Sequence, residues 1–148
     1  MPKLSVVLAI YNEENNIKNC LESVRGWADE IIVVDGSSTD NSVSIAKNLG
    51  AKVLITQNQK MFHINKQKAI DNATGKWVLQ LDADERVSRN LREEINQAIK
   101  SKTYQGYRIP RKNLFLGRYL MKGGVYPDYT LRLYRRGKGK LPQINIHE

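Results

Sequence analysis

Short apolar runs that alternate with amphipathic segments are the feature of this sequence that most constrains its fold. The first run, residues 4–10, reads LSVVLAI and is typical of a strand that is covered on both faces of a parallel sheet. Residues 15–24 then place apolar side chains at helical spacing, and Asn15 or Asn16 is suited to cap that helix. These residues therefore predict a strand, a polar loop and a helix.

The same pattern recurs along the chain. We predict strands at residues 30–34, 53–56, 77–81, 106–110 and 129–134, and helices at residues 42–49, 64–73 and 91–99. Gly50 is expected to end the second helix and Ser88 to cap the fourth, whereas residues 111–121 are expected to form a loop or a partly helical segment. Strands that alternate with helices make βαβ crossovers. The sequence therefore predicts an α/β fold with a mostly parallel sheet flanked by helices on both faces.

Bulk composition places the chain among ordinary globular proteins. Its 148 residues suit one hydrophobic core, and 41% hydrophobic and 26% charged residues exclude the disordered, collagenous and disulfide-rich classes. Cys20 is the only cysteine, so neither an intrachain disulfide nor a cysteine metal site is available. We expect a reducing, cytoplasmic setting, and the apolar stretch at residues 6–10 is too short for a secretory or membrane-spanning segment.

Polar, acid-rich loops follow three of the predicted strands. They are residues 12–14 (NEE), 35–40 (DGSSTD) and 82–85 (DADE). Loops at the carboxyl ends of parallel strands form the binding crevice of such sheets. We therefore expect the three loops to converge on one edge and to form the functional site there.

Asp82 and Asp84 flank one small residue at the end of a buried strand, so both carboxylates can face one ligand. Mg²⁺ and Mn²⁺ prefer oxygen ligands and are commonly held by one or two carboxylates together with substrate phosphate oxygens. By itself an Asp-x-Asp triplet is more often a solvated turn. The apolar strand before it, Asp35 at the end of a neighbouring strand and the absence of a nearby basic partner before Arg86 favour a metal-diphosphate site.

Asp35 has two interpretations. It can accept hydrogen bonds from a base or a ribose, as acids at strand ends do in nucleotide-binding α/β folds, or it can stabilise a turn with the polar groups of residues 37–40. The sequence contains neither of the two usual glycine-rich phosphate-binding motifs. A bound nucleotide diphosphate must therefore be neutralised by a metal and by basic side chains.

Four segments occur together in an order and spacing that resemble family 2 glycosyltransferases with the GT-A fold: LSVVLAIYNEE, EIIVVDGSSTD, a helix ending in ATG, and WVLQLDADE. The resemblance covers about residues 3–100. The later segments RKNLFLGRYLMKGG and YTLRLYRRGKG, with the terminal IHE, are similar to the bacterial lipopolysaccharide-core glucosyltransferase subgroup. The resemblance implies transfer of a sugar, with inversion, from a nucleotide-diphosphate donor such as a UDP-sugar to a cell-envelope glycan or lipid-linked acceptor.

The resemblance also implies a set of functional residues. The nucleotide-sugar site would contain Ile10, Tyr11, Asn12, Glu13, Asp35, Lys66, Asp82 and Ala83. Lys66 occupies the position where an arginine often faces the diphosphate, and lysine keeps the charge but not the bidentate geometry. Asp84 and Asp82 would form the site for Mn²⁺ or Mg²⁺, with Asp84 as the direct ligand and Asp82 nearer the ribose. Family members often have two acids where this chain has Asp35 and Gly36, which leaves base recognition less defined.

An inverting transfer requires a carboxylate that removes the proton of the acceptor hydroxyl. In the family this base lies well after the metal motif, where Asp128 and Glu148 are the available acids. Glu148 matches the His-Glu of the subgroup and is the first candidate, and Asp128 is the second. The alternatives are that Asp128 is a turn residue following Pro127, and that Glu148, the last residue, belongs to a frayed terminus.

Positive charge is concentrated in residues 108–140. This stretch contains ten Lys or Arg and one acid, Asp128, which equals the net +9 of the whole chain, so the remainder is neutral. A solvated basic surface is one interpretation. Contact with an anionic acceptor, or with anionic lipid headgroups on the inner face of the plasma membrane, is another, since aromatic residues are interspersed. Nucleic acid is disfavoured because no RNA- or DNA-binding motif accompanies the charge.

We divide the chain into a nucleotide-sugar-binding part, residues 1–104, and a basic acceptor-side or membrane-side segment of the same domain, residues 105–148. Because family members usually continue with acceptor-binding structure, the C-terminal part is expected to be incomplete. Two rival functions follow. One is a non-catalytic module that docks on nucleic acid or on a membrane, and the other is a truncated transferase that binds its donor without turnover.

Overall fold

The computed structural model describes the backbone of residues 3–58, 62–111, 114–115, 118–119 and 128–138, and the side chains of residues 3–58, 62–109 and 131–138. The strands are β1 (Leu4–Ile10), β2 (Glu30–Asp35), β3 (Lys52–Ile55), β4 (Trp77–Gln80), β5 (Gly106–Arg111), β6 (Leu114–Phe115), β7 (Arg118–Tyr119) and β8 (Asp128–Arg135). The helices are α1 (Ile17–Glu22), α2 (Ser42–Asn48), α3 (Phe62–Asp71) and α4 (Arg89–Ala98). Every strand and helix predicted from the sequence is present, and each bound lies within two residues of its expected position.

Six strands form one sheet in the order β3-β2-β1-β4-β8-β5. β1 pairs in parallel with β2 and β4, and β2 pairs in parallel with β3. β8 is antiparallel to both β4 and β5, so β5 runs in the same direction as the first four strands. The expected mostly parallel α/β sheet is therefore confirmed. Residues 1–104 and residues 105–148 both contribute strands to it, and the boundary between the two parts stays a prediction.

Two apolar layers cover the sheet because successive residues of a strand point to opposite faces. On one face, the even-numbered residues of β1 pack with α1, α2 and α4. On the other face, Val7 of β1 and Val78 of β4 pack with Ala69 and Ile70 of α3. Each large aliphatic side chain that is fully buried in this way contributes about 1.5–3 kcal/mol. The expected arrangement of helices on both faces is confirmed, and the apolar runs place the sheet between them.

The starts of two helices differ in how they are capped. Ser88 caps α4 as expected, since its Oγ accepts the backbone N–H of Leu91 at 3.1 Å. Asn16 occupies the corresponding position of α1 without making a side-chain cap hydrogen bond. Its Nδ2 donates instead to Glu13 Oε2 at 3.0 Å. The expected asparagine cap of α1 is therefore wrong, because the backbone of Asn16 is in the αR region and not in the extended region that a capping residue occupies.

Residues 111–121 contain local structure that the sequence did not predict. β6 and β7 pair in an antiparallel ladder, with Leu114 opposite Tyr119 and Phe115 opposite Arg118. The expectation of a loop or a partly helical segment is therefore wrong for these four residues and also for Arg111, the last residue of β5. Aromatic residues favour strands, and each of these two short strands contains one.

Candidate functional site

The loops that follow β1 and β2 are linked to each other at the carboxyl edge of the sheet. The backbone N–H of Asn12 donates to Ser38 Oγ at 2.8 Å, and Asn12 Oδ1 accepts the backbone N–H of Thr39 at 2.8 Å. The backbone N–H of Glu13 donates to Ser42 Oγ at 2.8 Å. The third acid-rich loop follows β4, which pairs with β1. The three loops that were expected to converge therefore lie along one edge.

Two non-glycine residues at this edge have positive backbone φ angles. The angle is +51° at Asn12 and +65° at Ser37, a region that costs a residue with a Cβ about 1 kcal/mol or more. The hydrogen bonds of Asn12 to the second loop hold one of them, and Ser37 Oγ, which donates to the carbonyl oxygen of Thr56 at 2.6 Å, holds the other. Because strained backbone is concentrated at functional sites, the crevice between these loops is the candidate site.

Asp35 is fully buried at the end of β2. Its Oδ2 accepts the backbone N–H of Ser38 at 2.8 Å, and its Oδ1 accepts the Ser38 hydroxyl at 2.5 Å. Asp35 therefore stabilises the turn, as one of its two interpretations expects, while its carboxylate oxygens keep the capacity to accept a further hydrogen bond. A Cβ added to the next residue, Gly36, would lie 3.2 Å from Asn58 Cα. A second acid at that position would therefore require Asn58 to shift by a few tenths of an ångström.

The residues expected to contact a nucleotide differ in exposure. Ile10 and Ala83 are 2% and 5% exposed, and both side chains belong to the apolar core. The carbonyl oxygen of Ile10 also accepts the backbone N–H of Gly36 at 2.9 Å. Tyr11 is 41% exposed. A ligand in the crevice would therefore meet the ring of Tyr11, and it would meet Ile10 and Ala83 only through their backbone atoms.

A tight turn follows β4 and contains Asp82, Ala83, Asp84 and Glu85. The backbone N–H of Glu85 donates to the carbonyl oxygen of Asp82 at 3.0 Å, and the backbone N–H of Asp82 donates to Glu85 Oε1 at 2.7 Å. The turn is thus closed by two hydrogen bonds. Ala83 is buried and Asp84 is exposed, and among the residues that the structure describes Asp84 has no hydrogen-bond or ion-pair partner. The turn therefore presents one carboxylate to solvent.

Asp82 lies between two buried cations. Lys66 Nζ is 3.1 Å from Asp82 Oδ1, and Arg132 Nη2 is 3.2 Å from Asp82 Oδ2. Burial by itself would raise the pKa of Asp82, but the charges of Lys66 and Arg132 outweigh it and hold the pKa below its ordinary value. The sequence places no Lys or Arg beside the aspartate triplet before Arg86, and the fold instead brings two basic side chains from distant positions to Asp82. α3 brings Lys66 to the turn and β8 brings Arg132, which is 50 residues away in the chain.

Arg132 is a residue of this site that the sequence did not single out. It was assigned to the basic stretch at residues 108–140, yet it is 6% exposed. Its Nη1 lies 3.2 Å from Glu85 Oε1, in addition to its contact with Asp82. The signal is the alternation of YTLRLY, because Arg132 shares a face of β8 with Tyr134, which packs in the layer under α3. A charged residue at a covered strand position indicates a buried partner.

One acid at this edge, Asp84, has the chemistry to bind a metal ion that shares its coordination with a phosphate. Across residues 3–58, 62–109 and 131–138, no group of three or more His, Cys, Asp or Glu is placed to hold a metal. Asp82 is neutralised by two cations, whereas exposed Asp84 offers a hard oxygen ligand. Mg²⁺ and Mn²⁺ are commonly bound through one or two carboxylates plus substrate phosphates. Asp84 therefore fits as a ligand of such an ion, and Asp82 is committed to Lys66 and Arg132.

The two candidate bases lie at the limit of the described residues or beyond it. Asp128 is the first residue of β8 and pairs with Arg111 of β5, so it is a strand residue rather than a turn residue. Because β8 is antiparallel to β4, its first residues lie toward the carboxyl edge. The side chain of Asp128 and the whole of Glu148 lie outside the described residues. The assignment of the base to Glu148 or Asp128 stays a prediction.

Known sequences resemble this chain along nearly its whole length. The family described as Glycosyl transferase family 2 matches residues 5–145. An uncharacterised glycosyltransferase of Rickettsia typhi is 35% identical over 144 residues, covering 92% of this chain and 47% of the relative. The lipopolysaccharide core biosynthesis glycosyltransferase LpsC of Rhizobium meliloti is 31% identical over 156 residues, covering 100% of this chain and 57% of the relative. The chain therefore spans about half the length of the curated relatives it matches.

Solved structures share the same arrangement of strands and helices. TarS of S. aureus, residues 1–349 in complex with UDP-GlcNAc, superposes with a TM-score of 0.65 at 24% identity, covering 78% of this chain and 36% of that chain. The mannosyltransferase PcManGT of Pyrobaculum calidifontis, in complex with GDP-Man and Mn²⁺, has a TM-score of 0.62 at 22% identity, covering 74% of this chain and 36% of that chain. The likeness confirms the expected GT-A fold.

Proposed function

The chain belongs to glycosyl transferase family 2, and from this premise we propose that it transfers a sugar, with inversion, from a nucleotide-diphosphate donor to a cell-envelope glycan or lipid-linked acceptor. The proposed donor is a UDP-sugar. One observation carries the proposal: the exposed carboxylate of Asp84 stands beside the buried cluster of Lys66, Asp82 and Arg132 at the carboxyl edge of the sheet. Ligands of open α/β sheets bind at that edge.

The donor would be held by residues of all three loops. Asp35, whose side chain is covered in this structure, would have to be uncovered to accept a hydrogen bond from the base or the ribose, and the exposed ring of Tyr11 offers an apolar surface beside it. Asn12 and Glu13 line the same crevice. Lys66 brings a positive charge to the edge where the diphosphate would lie, and this charge favours the binding of phosphate oxygens.

Asp84 would be the protein ligand of Mn²⁺ or Mg²⁺, with phosphate oxygens of the donor completing the coordination. Such an ion, when bound, stabilises the negative charge of the departing diphosphate. Asp82 would remain paired with Lys66 and Arg132 and would face the ribose. Glu148, or in second place Asp128, would accept the proton of the acceptor hydroxyl as that oxygen attacks the anomeric carbon. Attack from the face opposite the leaving group inverts the configuration.

The donor side of the proposal is tested by calorimetry of UDP binding with and without Mn²⁺. We expect saturable binding that Mn²⁺ strengthens, and loss of the Mn²⁺ effect in Asp84→Ala, because the proposed ligand of the ion is removed. Glu94→Ala is the matched control, since Glu94 is an exposed acid on α4 outside the site. Absence of UDP affinity in the wild-type chain with Mn²⁺ present, or an unchanged Mn²⁺ effect in Asp84→Ala, would contradict the proposal.

Transfer is tested separately from binding because the chain spans about half the length of its curated relatives. The assay follows release of UDP from UDP-sugars in the presence of lipopolysaccharide-core acceptors. We expect turnover that falls in Asp84→Ala together with UDP affinity. UDP binding without turnover on any acceptor would support donor binding alone.

We further propose that the chain works in the cytoplasm, in peripheral contact with the inner face of the plasma membrane through residues 108–140. Across the described residues, no helix combines the length and apolar character that crossing a bilayer requires. Exposed Arg136 and Lys138 follow β8 at the amino edge of the sheet, where the backbone N–H of Arg136 donates to the carbonyl oxygen of Lys76 at 2.9 Å. Lys76 is also exposed. A basic patch of this kind attracts anionic headgroups.

Vesicle flotation measures this contact. We expect binding to phosphatidylserine-containing vesicles at low salt, weaker binding at high salt, and weaker binding still in the double variant Arg136→Ala, Lys138→Ala. Lys18→Ala, an exposed lysine on α1, serves as the control. Equal binding to neutral phosphatidylcholine vesicles would remove the proposal.

A further inference from the structure

The turn that carries Asp84 is contacted from outside by Lys66, at Asp82, and by Arg132, at both of its ends. The guanidinium of Arg132 reaches both ends of the turn, through Nη2 to Asp82 Oδ2 and through Nη1 to Glu85 Oε1, each at 3.2 Å. We propose that Arg132 is a positioning residue, which fixes the turn so that Asp84 meets the metal-bound diphosphate of the donor. This inference rests on the function proposed above.

The contacts of Glu85 make the turn from Asp82 to Glu85 rigid. Glu85 Oε1 accepts the backbone N–H of Asp82 at 2.7 Å and also lies against Arg132 Nη1. The backbone N–H of Glu85 donates to the carbonyl oxygen of Asp82 at 3.0 Å. The first and last residues of the turn are therefore joined by their backbones, by the Glu85 side chain and by Arg132. Asp84 is the turn residue that these contacts leave exposed.

The charges in the turn explain why a cation is required there. Asp82, Asp84 and Glu85 place three carboxylates within four residues, and like charges so close together repel one another. Arg132 lies against the two flanking carboxylates, and Lys66 lies against Asp82. The carboxylates of Asp82 and Glu85 are thus neutralised by these two cations, whereas the charge of Asp84 remains available to a ligand.

Arg132 and Lys66 differ in geometry. Lys66 carries a single point of charge and contacts Asp82 Oδ1 from α3. The planar fork of an arginine can contact two carboxylates at once, which a lysine ammonium cannot do with the same fixed angle. The backbone of Arg132 is held in the sheet, because its neighbour Leu133 pairs with Leu79 of β4. The orientation of the Arg132 guanidinium is therefore set by the register in which β8 pairs with β4.

The test compares UDP affinity without metal, the gain in UDP affinity on adding Mn²⁺, and the electron paramagnetic resonance spectrum of Mn²⁺ in the ternary complex. In Arg132→Lys, which keeps the charge but not the fork, we expect the Mn²⁺-dependent gain to fall by about 10- to 100-fold, as is usual when a side chain that orients a metal ligand is changed. Metal-free UDP affinity should stay within about threefold of wild type. The Mn²⁺ spectrum should broaden, because the ligand is less fixed.

Glu85→Gln is the second variant, because glutamine can still accept the Asp82 N–H while it loses the ion pair with Arg132. It should reduce the Mn²⁺-dependent gain like Arg132→Lys, and the double variant should lose less than the product of the two, since both break the same contact. Arg135→Lys is the matched control, because Arg135 lies on the same strand but stacks on Trp77, with its guanidinium carbon 5.1 Å from the ring centroid. It should behave as wild type.

Three outcomes separate the explanations. An unchanged Mn²⁺-dependent gain in folded Arg132→Lys and Glu85→Gln would overturn the positioning role while leaving the proposed function intact. Equal losses of metal-free and Mn²⁺-dependent affinity would also overturn it, because a merely structural role lowers both. A wild-type chain that binds no UDP with Mn²⁺ would instead remove the proposed function on which this inference rests.

Discussion

Asp29 at the amino edge of the sheet and Asp84 at the carboxyl edge are used in opposite ways. At the amino edge, Asp29 accepts the backbone N–H groups of Lys3 and Leu4 at 3.0 and 2.9 Å. At the carboxyl edge, Asp84 is exposed, and among the described residues it has no hydrogen-bond or ion-pair partner. An acid that satisfies backbone donors stabilises the fold, whereas an acid whose neighbours are neutralised around it is available to a ligand.

Glu30, also at the amino edge, is the clearest example of an acid that stabilises the fold. Its carboxylate accepts the Ser5 hydroxyl, and it accepts the backbone N–H and the hydroxyl of Thr74 at 3.0 and 3.1 Å. Ser5 Oγ in turn accepts the backbone N–H of Gly75 at 2.9 Å. The start of β2 is therefore joined to β1 and to the loop before β4. If the two edges are independent, a substitution at one edge leaves the property that depends on the other edge unchanged.

The largest effect is expected from Gly75→Ala at the amino edge. The added Cβ would lie 2.6 Å from Ser5 Oγ and 2.8 Å from Ser5 N, so β1 and the loop before β4 must separate. We expect the free energy of unfolding, measured by urea denaturation, to fall by about 3 kcal/mol. Lys76→Ala, at the exposed next residue, should change it by less than about 0.5 kcal/mol. Loss of UDP affinity in Gly75→Ala while the protein remains folded would show that the two edges are not independent.

A smaller effect on stability, combined with an effect on binding, is expected from Asp82→Asn. The change leaves the buried cations Lys66 and Arg132 without their shared carboxylate. Because Asp82 is itself 26% exposed, we expect a loss of about 2 kcal/mol in unfolding free energy, below the range for fully buried pairs. UDP affinity should fall as well. Asp84→Asn is the matched control, and it should lower Mn²⁺-dependent UDP binding without changing the free energy of unfolding. If the two variants are equally stable, Asp82 does not stabilise the fold as described.

Glu30→Gln should lower the free energy of unfolding by about 1 kcal/mol near neutral pH, which is the scale of one hydrogen-bonded group. This loss should depend on pH. Burial alone would raise the pKa of Glu30, but hydrogen bonds from Ser5 and Thr74 and the charge of Lys52 outweigh it and hold the pKa below its ordinary value in the folded chain. A carboxyl whose folded pKa is lowered stabilises the fold above its unfolded pKa, and this stabilisation is lost as the pH falls through the folded pKa.

Urea denaturation of wild type and Glu30→Gln at several pH values measures this difference. The two stabilities should differ at pH 7 and converge as the pH falls toward 3. Glu94→Gln, on the exposed surface of α4, should show no such convergence. A difference between wild type and Glu30→Gln that is constant from pH 7 to pH 3 would show that the charge of Glu30 does not contribute.

How much could be predicted from the sequence differs between the strands and the ion pairs at the carboxyl edge. β1 has the bounds Leu4–Ile10 that were predicted, because a strand buried on both faces has a local signature in its apolar run. The position of the acids at the carboxyl edge followed from the rule for parallel sheets. The ion pairs did not, because Arg132 reaches Asp82 through the pairing of β8 with β4, and that register depends on residues far apart in the chain.

The smallest expected effect is on the rate at which the thiol of Cys20 is labelled. Cys20 Sγ donates to the carbonyl oxygen of Asp82 at 3.5 Å, under the carboxyl edge. Burial, and after it the charges of Glu85, Asp82 and Asp84, raise the pKa of Cys20 to about 12. Little thiolate is therefore present at pH 8, and the thiol is also inaccessible, so a maleimide should label the native chain far more slowly than the chain in urea. Asp84→Asn removes only the last of these causes, so its native labelling should stay slow. Native labelling within tenfold of the unfolded rate would mean that the turn opens readily, and the fixed presentation of Asp84 that separates this edge from the amino edge would be lost.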